Sequence, residues 1–179
     1  GGSMKLSQRL APVMRRRTAF PLLLVNPDAE TGDTSGWTNE QGVLAVRTAN
    51  PPANQGGYYF VDATSAIHKS RQRVDVSAFA SDIDAGLMTA VITWQQASYS
   101  SGDDKSACGI RFLNNSQVQI SESIALETTP VPRMVWGYRS HSMSVPVGTR
   151  YIDALIKMTR AAGTANDGYT DDITLTLYK

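Results

Sequence analysis

The tail of this chain alternates with a period of two. Ile173, Leu175 and Leu177 are separated by Thr174 and Thr176, after the turn signal Asn166-Asp167-Gly168. Such a run specifies a half-buried β-strand with one apolar and one polar face. The same parity carries back to Asp171, which is placed inward with the leucines, while Asp172 is placed toward solvent. An inward carboxylate at a strand end is costly unless it accepts hydrogen bonds, pairs with an arginine or binds a metal.

The pattern recurs along most of the chain. Val74, Val76 and Ala78 alternate with Arg71, Arg73, Asp75 and Ser77. Met88, Ala90, Ile92 and Trp94 share one face; so do Cys108, Ile110 and Phe112, then Met134, Trp136 and Tyr138, then Ile152, Ala154, Ile156 and Met158. Leu22–Val25, Val43–Thr48, Tyr58–Val61 and Val118–Leu126 add shorter strands between Gly, Pro and Asn turns. Parity places Trp94 and Trp136 in the core, and it sends Tyr58 and Tyr59 to opposite faces, leaving one of them exposed or at an interface. Roughly ten strands at about ten-residue spacing predict an all-β chain, an antiparallel β-sandwich or jelly roll. The 179 residues are enough for one such domain with a real core.

Composition excludes several classes. The single cysteine, Cys108, rules out an internal disulfide, and two histidines, His68 and His141, are too few for a His-rich metal centre. No apolar run approaches the roughly 20 residues of a membrane helix, so no membrane insertion is expected. Gly1-Gly2-Ser3 reads as an expression-tag remnant (1–3), with Met4 as the natural start and no signal peptide after it. Residues 4–20 then form a basic N-terminal arm and 21–179 the jelly-roll domain. The arm carries Lys5, Arg9, Arg15, Arg16 and Arg17 and no acid, whereas the remaining residues have twelve basic and sixteen acidic side chains. Leu6, Leu10, Val13 and Met14 give the arm an amphipathic helical spacing that Pro12 interrupts. A cationic arm on a mildly acidic body suits docking on a subunit, through Arg9, Arg15, Arg16 and Arg17. No basic stripe with interleaved aromatics supports nucleic-acid binding.

Several phrases, in order from about residue 22 to 178, resemble the galactose-binding-like, carbohydrate-binding-module type of jelly roll. They are Leu24-Val25-Asn26-Pro27-Asp28-Ala29-Glu30 with Gly36-Trp37; Gly56-Gly57-Tyr58-Tyr59-Phe60; Val74–Phe79 with Ile83–Gly86; Val145–Arg150; and the tail from Asn166. Pro27 and Ala29 depart from the pattern, standing where that family has glycine and a bulky apolar residue. The resemblance implies a structural calcium joining the first and last strands through Glu30 and Asp171, with Asp28 nearby. Amide hydrogen bonds or an arginine are the alternatives at Asp171. Short jelly rolls with an extra arm also look like components of tailed-phage particles.

No nucleophile elbow, P-loop, H-E-x-x-H or dinucleotide fingerprint is present, so a non-enzymatic protein is expected. Sugar sites combine aromatic faces with a few polar groups, which nominates Tyr99, Asp103, Arg139 and His141 as ligand-binding residues. The acidic loop Ser101–Lys105 otherwise reads as a solvated hairpin tip. The expected function is a phage virion component (decoration, baseplate or fibre-associated) or, alternatively, a carbohydrate-binding module of an extracellular bacterial protein. Its partners would be other virion subunits, further copies of itself as a homo-oligomer, or a cell-surface glycan. Its location would be the virion or the extracellular space.

Overall fold

The strictest alternations in the sequence become the central strands of two sheets. The computed structural model describes residues 16–99, 103–127 and 133–179. One antiparallel sheet runs β3 (Ala45–Arg47), β4 (Tyr59–Val61), β11 (Gly168–Tyr178), β6 (Thr89–Ser98) and β9 (Gly137–Ser144), with β1 (Ala19–Leu22) also paired to β11. The other runs β2 (Thr38–Gln41), β5 (Ile67–Asp75), β10 (Tyr151–Thr159), β7 (Lys105–Leu113) and β8 (Gln119–Ile124). The sheets face each other across Ala90, Ile92, Trp94, Leu175 and Leu177 on one side and Cys108, Ile110, Phe112, Ile152, Ala154, Ile156 and Met158 on the other. Burial of these alternating faces is the main force holding the sandwich.

The chain differs from the sequence-based expectation where local polar chemistry overrides alternation. The strand expected to reach Ala78 ends at Asp75, whose Oδ1 accepts the Ser77 amide at 2.8 Å. A 3₁₀ turn over Ser77–Phe79 and a five-residue helix α1 (Ala80–Asp84) follow, burying Ile83. Strand β2, Thr-Asn-Glu-Gln, has no apolar residue and was not foreseen. Met134 takes a positive φ of 58° and lies before β9, so Met134, Trp136 and Tyr138 do not form one core face. In β9 it is Arg139, His141 and Met143 that lie opposite the core residues Trp94, Ile92 and Ala90.

The last strand holds the main surprise. Asp171 pairs with Gln95 but Thr174 pairs with Thr93, so three steps in β11 match two in β6: a one-residue bulge centred on Asp172, whose φ is 48°. Crossing the bulge reverses parity. Asp171 is fully buried, as expected, but on the outer face of the six-stranded sheet, the opposite face from Leu175 and Leu177. Asp172 is half-buried rather than solvent-facing. The outer face is covered there by a second small core: Tyr59, Val61, Ala97 and Tyr169, with Ala45, Ala53 and Trp136 against it. Trp136 meets Tyr59 edge-on at 5.1 Å and donates its Nε1–H to the Pro52 carbonyl at 2.8 Å. This cover buries Tyr59, while Tyr58 is half-buried against the main core, so neither is exposed.

Of the arm residues, Arg9 and Arg15, like most of the helix expected over 4–19, lie outside the described residues, and Arg16 and Arg17 are exposed. Main-chain bonds between Thr18 and Lys179, at 3.0 and 2.9 Å, extend the β1–β11 pairing by one residue toward the arm.

Candidate functional site

Two edge strands, β8 of one sheet and β9 of the other, border an open side of the sandwich. Between them lies a cavity of about 500 Å³ lined by Trp94, Ser123, Ile124, Ala125, Leu126, Arg139, Ser140 and His141. Its size is that of a small-molecule pocket. Arg139 and His141 reach it because β9 turns their side chains inward at an edge that no further strand closes among the described residues. The His141 Nε2 and the Ser123 hydroxyl are 2.9 Å apart, which ties the two edges together. Burial holds the His141 imidazole below its ordinary pKa, so the neutral ring prevails at pH 7. Trp94 is almost wholly buried and forms the apolar back, while Leu126 is 88% exposed and stands at the rim.

Arg139 donates its Nε–H to Gln96 Oε1 at 3.0 Å and Nη1–H to the Tyr138 carbonyl at 3.2 Å. Behind it, two buried donors, Trp94 Nε1 and Gln96 Nε2, have no partner among the described residues. The pocket is thus rich in donors and, among its lining residues, has no carboxylate.

The other two nominated ligand residues lie elsewhere. Tyr99 is near Arg47, whose guanidinium stands 5.8 Å from the ring centroid, and Asp103 pairs with Arg133. Neither lines the cleft. Asp104, in the loop read as a solvated tip, is instead buried, and its carboxylate accepts the amides of Ala161 at 2.6 Å and Asp167 at 2.8 Å. His68 is a packing residue, with Nδ1 2.9 Å from the Asp62 carboxylate.

The carboxylates nominated for calcium are engaged by N–H donors. Glu30 accepts the amides of Gly57 at 3.0 Å and Tyr58 at 2.9 Å. Asp28 accepts the Glu30 amide at 3.2 Å. Asp171 accepts the amides of Asn54 at 2.9 Å and Asp172 at 2.8 Å. Among the described residues no three His, Cys, Asp or Glu side chains converge as metal ligands. Each of these three carboxylates thus accepts at least one main-chain amide. The first and last strands are nevertheless joined here, since the Ile173 amide donates to the Pro27 carbonyl at 3.0 Å. Ala29, the departure from the family pattern, is fully buried with φ at 61°.

Sequence reasoning missed a charged lattice on the outer face of the five-stranded sheet. Asp153, fully buried, accepts from Arg73 at 2.8 and 3.0 Å and from Arg111 at 3.0 Å. Arg111 also donates to Glu40 at 2.7 Å and Glu122 at 2.9 Å. The lattice pairs its own charges.

No family model matches the chain, and no curated protein matches it. Solved structures match in fold. The enzymatically active domain of bacteriophage CBA120 tailspike protein 4 aligns with a TM-score of 0.63 at 10% identity, over 86% of this chain and 21% of that one. The carbohydrate-binding module TmCBM61, solved with beta-1,4-galactotriose, aligns with a TM-score of 0.55 at 23% identity, over 86% of this chain and 97% of that one. A family 16 carbohydrate-binding module gives 0.58 at 17% identity, over 86% and 98%. The chain therefore has the β-sandwich fold of carbohydrate-binding modules, spanning nearly the whole of those modules and about a fifth of the tailspike chain.

Proposed function

We propose that the chain is a non-catalytic carbohydrate-binding domain whose site is the cleft between β8 and β9. The observation that carries this reading is the convergence of Trp94, Ser123, Leu126, Arg139 and His141 on one cavity at the β8–β9 edge. An apolar back with a few fixed polar groups is what a sugar ring and its hydroxyls require. The fold shared with carbohydrate-binding modules supports it. A glycan array followed by calorimetry tests it: saturable binding is expected, weakened at least about tenfold by Arg139→Ala or His141→Ala, the loss of about 1.4 kcal/mol. Tyr99→Ala and Asp103→Ala, outside the cleft, are expected to leave affinity unchanged. Binding indifferent to the cleft substitutions would overturn the assignment.

The tailspike likeness favours a second, compatible reading, in which the domain is part of a phage particle and works as a virion or extracellular module, alone or as a homo-oligomer, beside other virion subunits. In it the basic arm 4–20 is the docking segment, through Arg9, Arg15, Arg16 and Arg17.

A further inference from the structure

Resting on the carbohydrate reading of the cleft, we infer that its ligand is an acidic sugar, a uronate, whose carboxylate is taken by Arg139. The inference begins with the pairing of arginines. Arg47, Arg71, Arg73, Arg111, Arg133 and Arg150 each stand within 4.0 Å of a carboxylate. Arg139 and Arg160, both half-buried, have only neutral acceptors among the described residues: Arg160 the Thr64 and Thr164 carbonyls, Arg139 Gln96 Oε1 and the Tyr138 carbonyl, and of the two only Arg139 lines the cleft. Among the described residues it forms no ion pair, and no lining residue of its cavity is acidic.

A cation held partly out of water without a counter-ion is a standing cost, and an anion that enters its pocket relieves it. The geometry suits a carboxylate. Nε and one Nη1–H are committed to Gln96 and Tyr138, which fixes the guanidinium plane, and Nη2 has no protein acceptor among the described residues. A pre-oriented planar fork of donors is what distinguishes arginine from lysine in carboxylate recognition. The rest of the cleft has the same bias. The Ser123 hydroxyl and the His141 ring add polar contacts, and behind them the buried Trp94 Nε1 and Gln96 Nε2 have no acceptor among the described residues. A sugar acid brings acceptor oxygens and an apolar ring face, and the latter fits Trp94, Ile124 and Leu126.

The test compares trigalacturonate with β-1,4-galactotriose by calorimetry at pH 7 on the full chain. Trigalacturonate is expected to bind at least about tenfold more tightly. Arg139→Gln should erase that preference, Arg139→Lys should keep part of it, and Arg160→Gln, at the other arginine without a carboxylate partner and outside the cleft, should leave it intact. Thermal melts of each variant separate loss of recognition from loss of folding. Equal or tighter binding of the neutral trimer, or a preference that survives Arg139→Gln, overturns the acidic-sugar inference and leaves the carbohydrate reading standing. Binding of neither trimer, nor of any glycan on the array, overturns both.

Discussion

At the scale of single residues, Asp171 shows how a buried carboxylate is held without a counter-ion. Burial, then the neighbouring Asp172 charge, push its carboxyl up to about 7, against the pull of the amides of Asn54, Asp172 and Gln55. The sign follows from linkage. Between 3.8, the ordinary value, and about 7 the folded chain keeps a proton that the unfolded chain has released. Asp171 therefore contributes stability that is complete below that window and lost as pH rises through about 7. The slope is at most about 1.4 kcal/mol per pH unit. His68 works in the opposite sense: burial lowers its pKa from 6.5, so its contribution is lost as pH falls through that range. The expected result is thus a difference: urea denaturation at pH 5 and pH 8 should show wild type losing more stability on going to pH 8 than Asp171→Asn does. Equal pH dependence in the two proteins would show that Asp171 stays ionised throughout. A wild-type slope that flattens on adding calcium would show that a cation takes over what the amides do here.

At the scale of elements, β10 is the central strand of the five-stranded sheet, and its outer face is organised by Asp153. Register sets Arg73 of β5 on one side of Asp153 and Arg111 of β7 on the other. Removing a buried partner of this kind leaves uncompensated charge, so Asp153→Ala is expected to cost about 3–5 kcal/mol by urea denaturation. The triple change Asp153→Leu, Arg73→Met, Arg111→Met should cost less than the single one; a larger cost would mean that the lattice stabilises by more than its own neutralisation. The sequence revealed the parity of Asp153, between Ile152 and Ala154, but not the two arginines, which lie 80 and 42 positions away. The same division runs through the fold. Strands β6, β7, β10 and β11 were legible because their buried faces are apolar, whereas β2 was hidden by its wholly polar residues. β9 was misregistered because its inward positions include Arg139 and His141, the residues that line the cleft. Local patterning fails where a strand serves a site instead of the core. Arg139 and His141 could be nominated by residue type; Ser123 and Leu126 could not, because only tertiary pairing brings the edge of β8 to β9. The bulge at Asp172 left no mark on the alternation either, so the face of Asp171 was read wrongly even though its burial was read correctly.

At the scale of the whole molecule, charge is divided between arm and body, and this bears on assembly. The first twenty residues carry five basic and no acidic side chains, and the remainder has four more acidic than basic ones. Arm-to-body attraction between copies would be electrostatic and weakened by salt, because exposed charges are screened beyond about 10 Å at 0.1 M. The body also offers an apolar surface: Leu23 is 92% exposed and Val25 59%, beside a groove of about 400 Å³ lined by Leu22, Leu24, Pro27, Ile173 and Leu175 among others. A chain starting at Ala19 keeps the whole β1–β11 register, from Ala19 opposite Tyr178 to Leu22 opposite Leu175. It loses the two main-chain bonds between Thr18 and Lys179, at 3.0 and 2.9 Å. The sandwich is therefore expected to persist without the arm, which makes light scattering of the two chains a clean comparison. The particle reading predicts a trimer or larger assembly for the full chain, dissociating at high salt, and a monomer for the shortened one. An assembly that survives truncation and salt alike would move the contact to the Leu23 and Val25 surface, since apolar association does not weaken as ions are added. Monomers in both cases would withdraw self-assembly as support and leave the β8–β9 cleft as the feature through which the molecule acts.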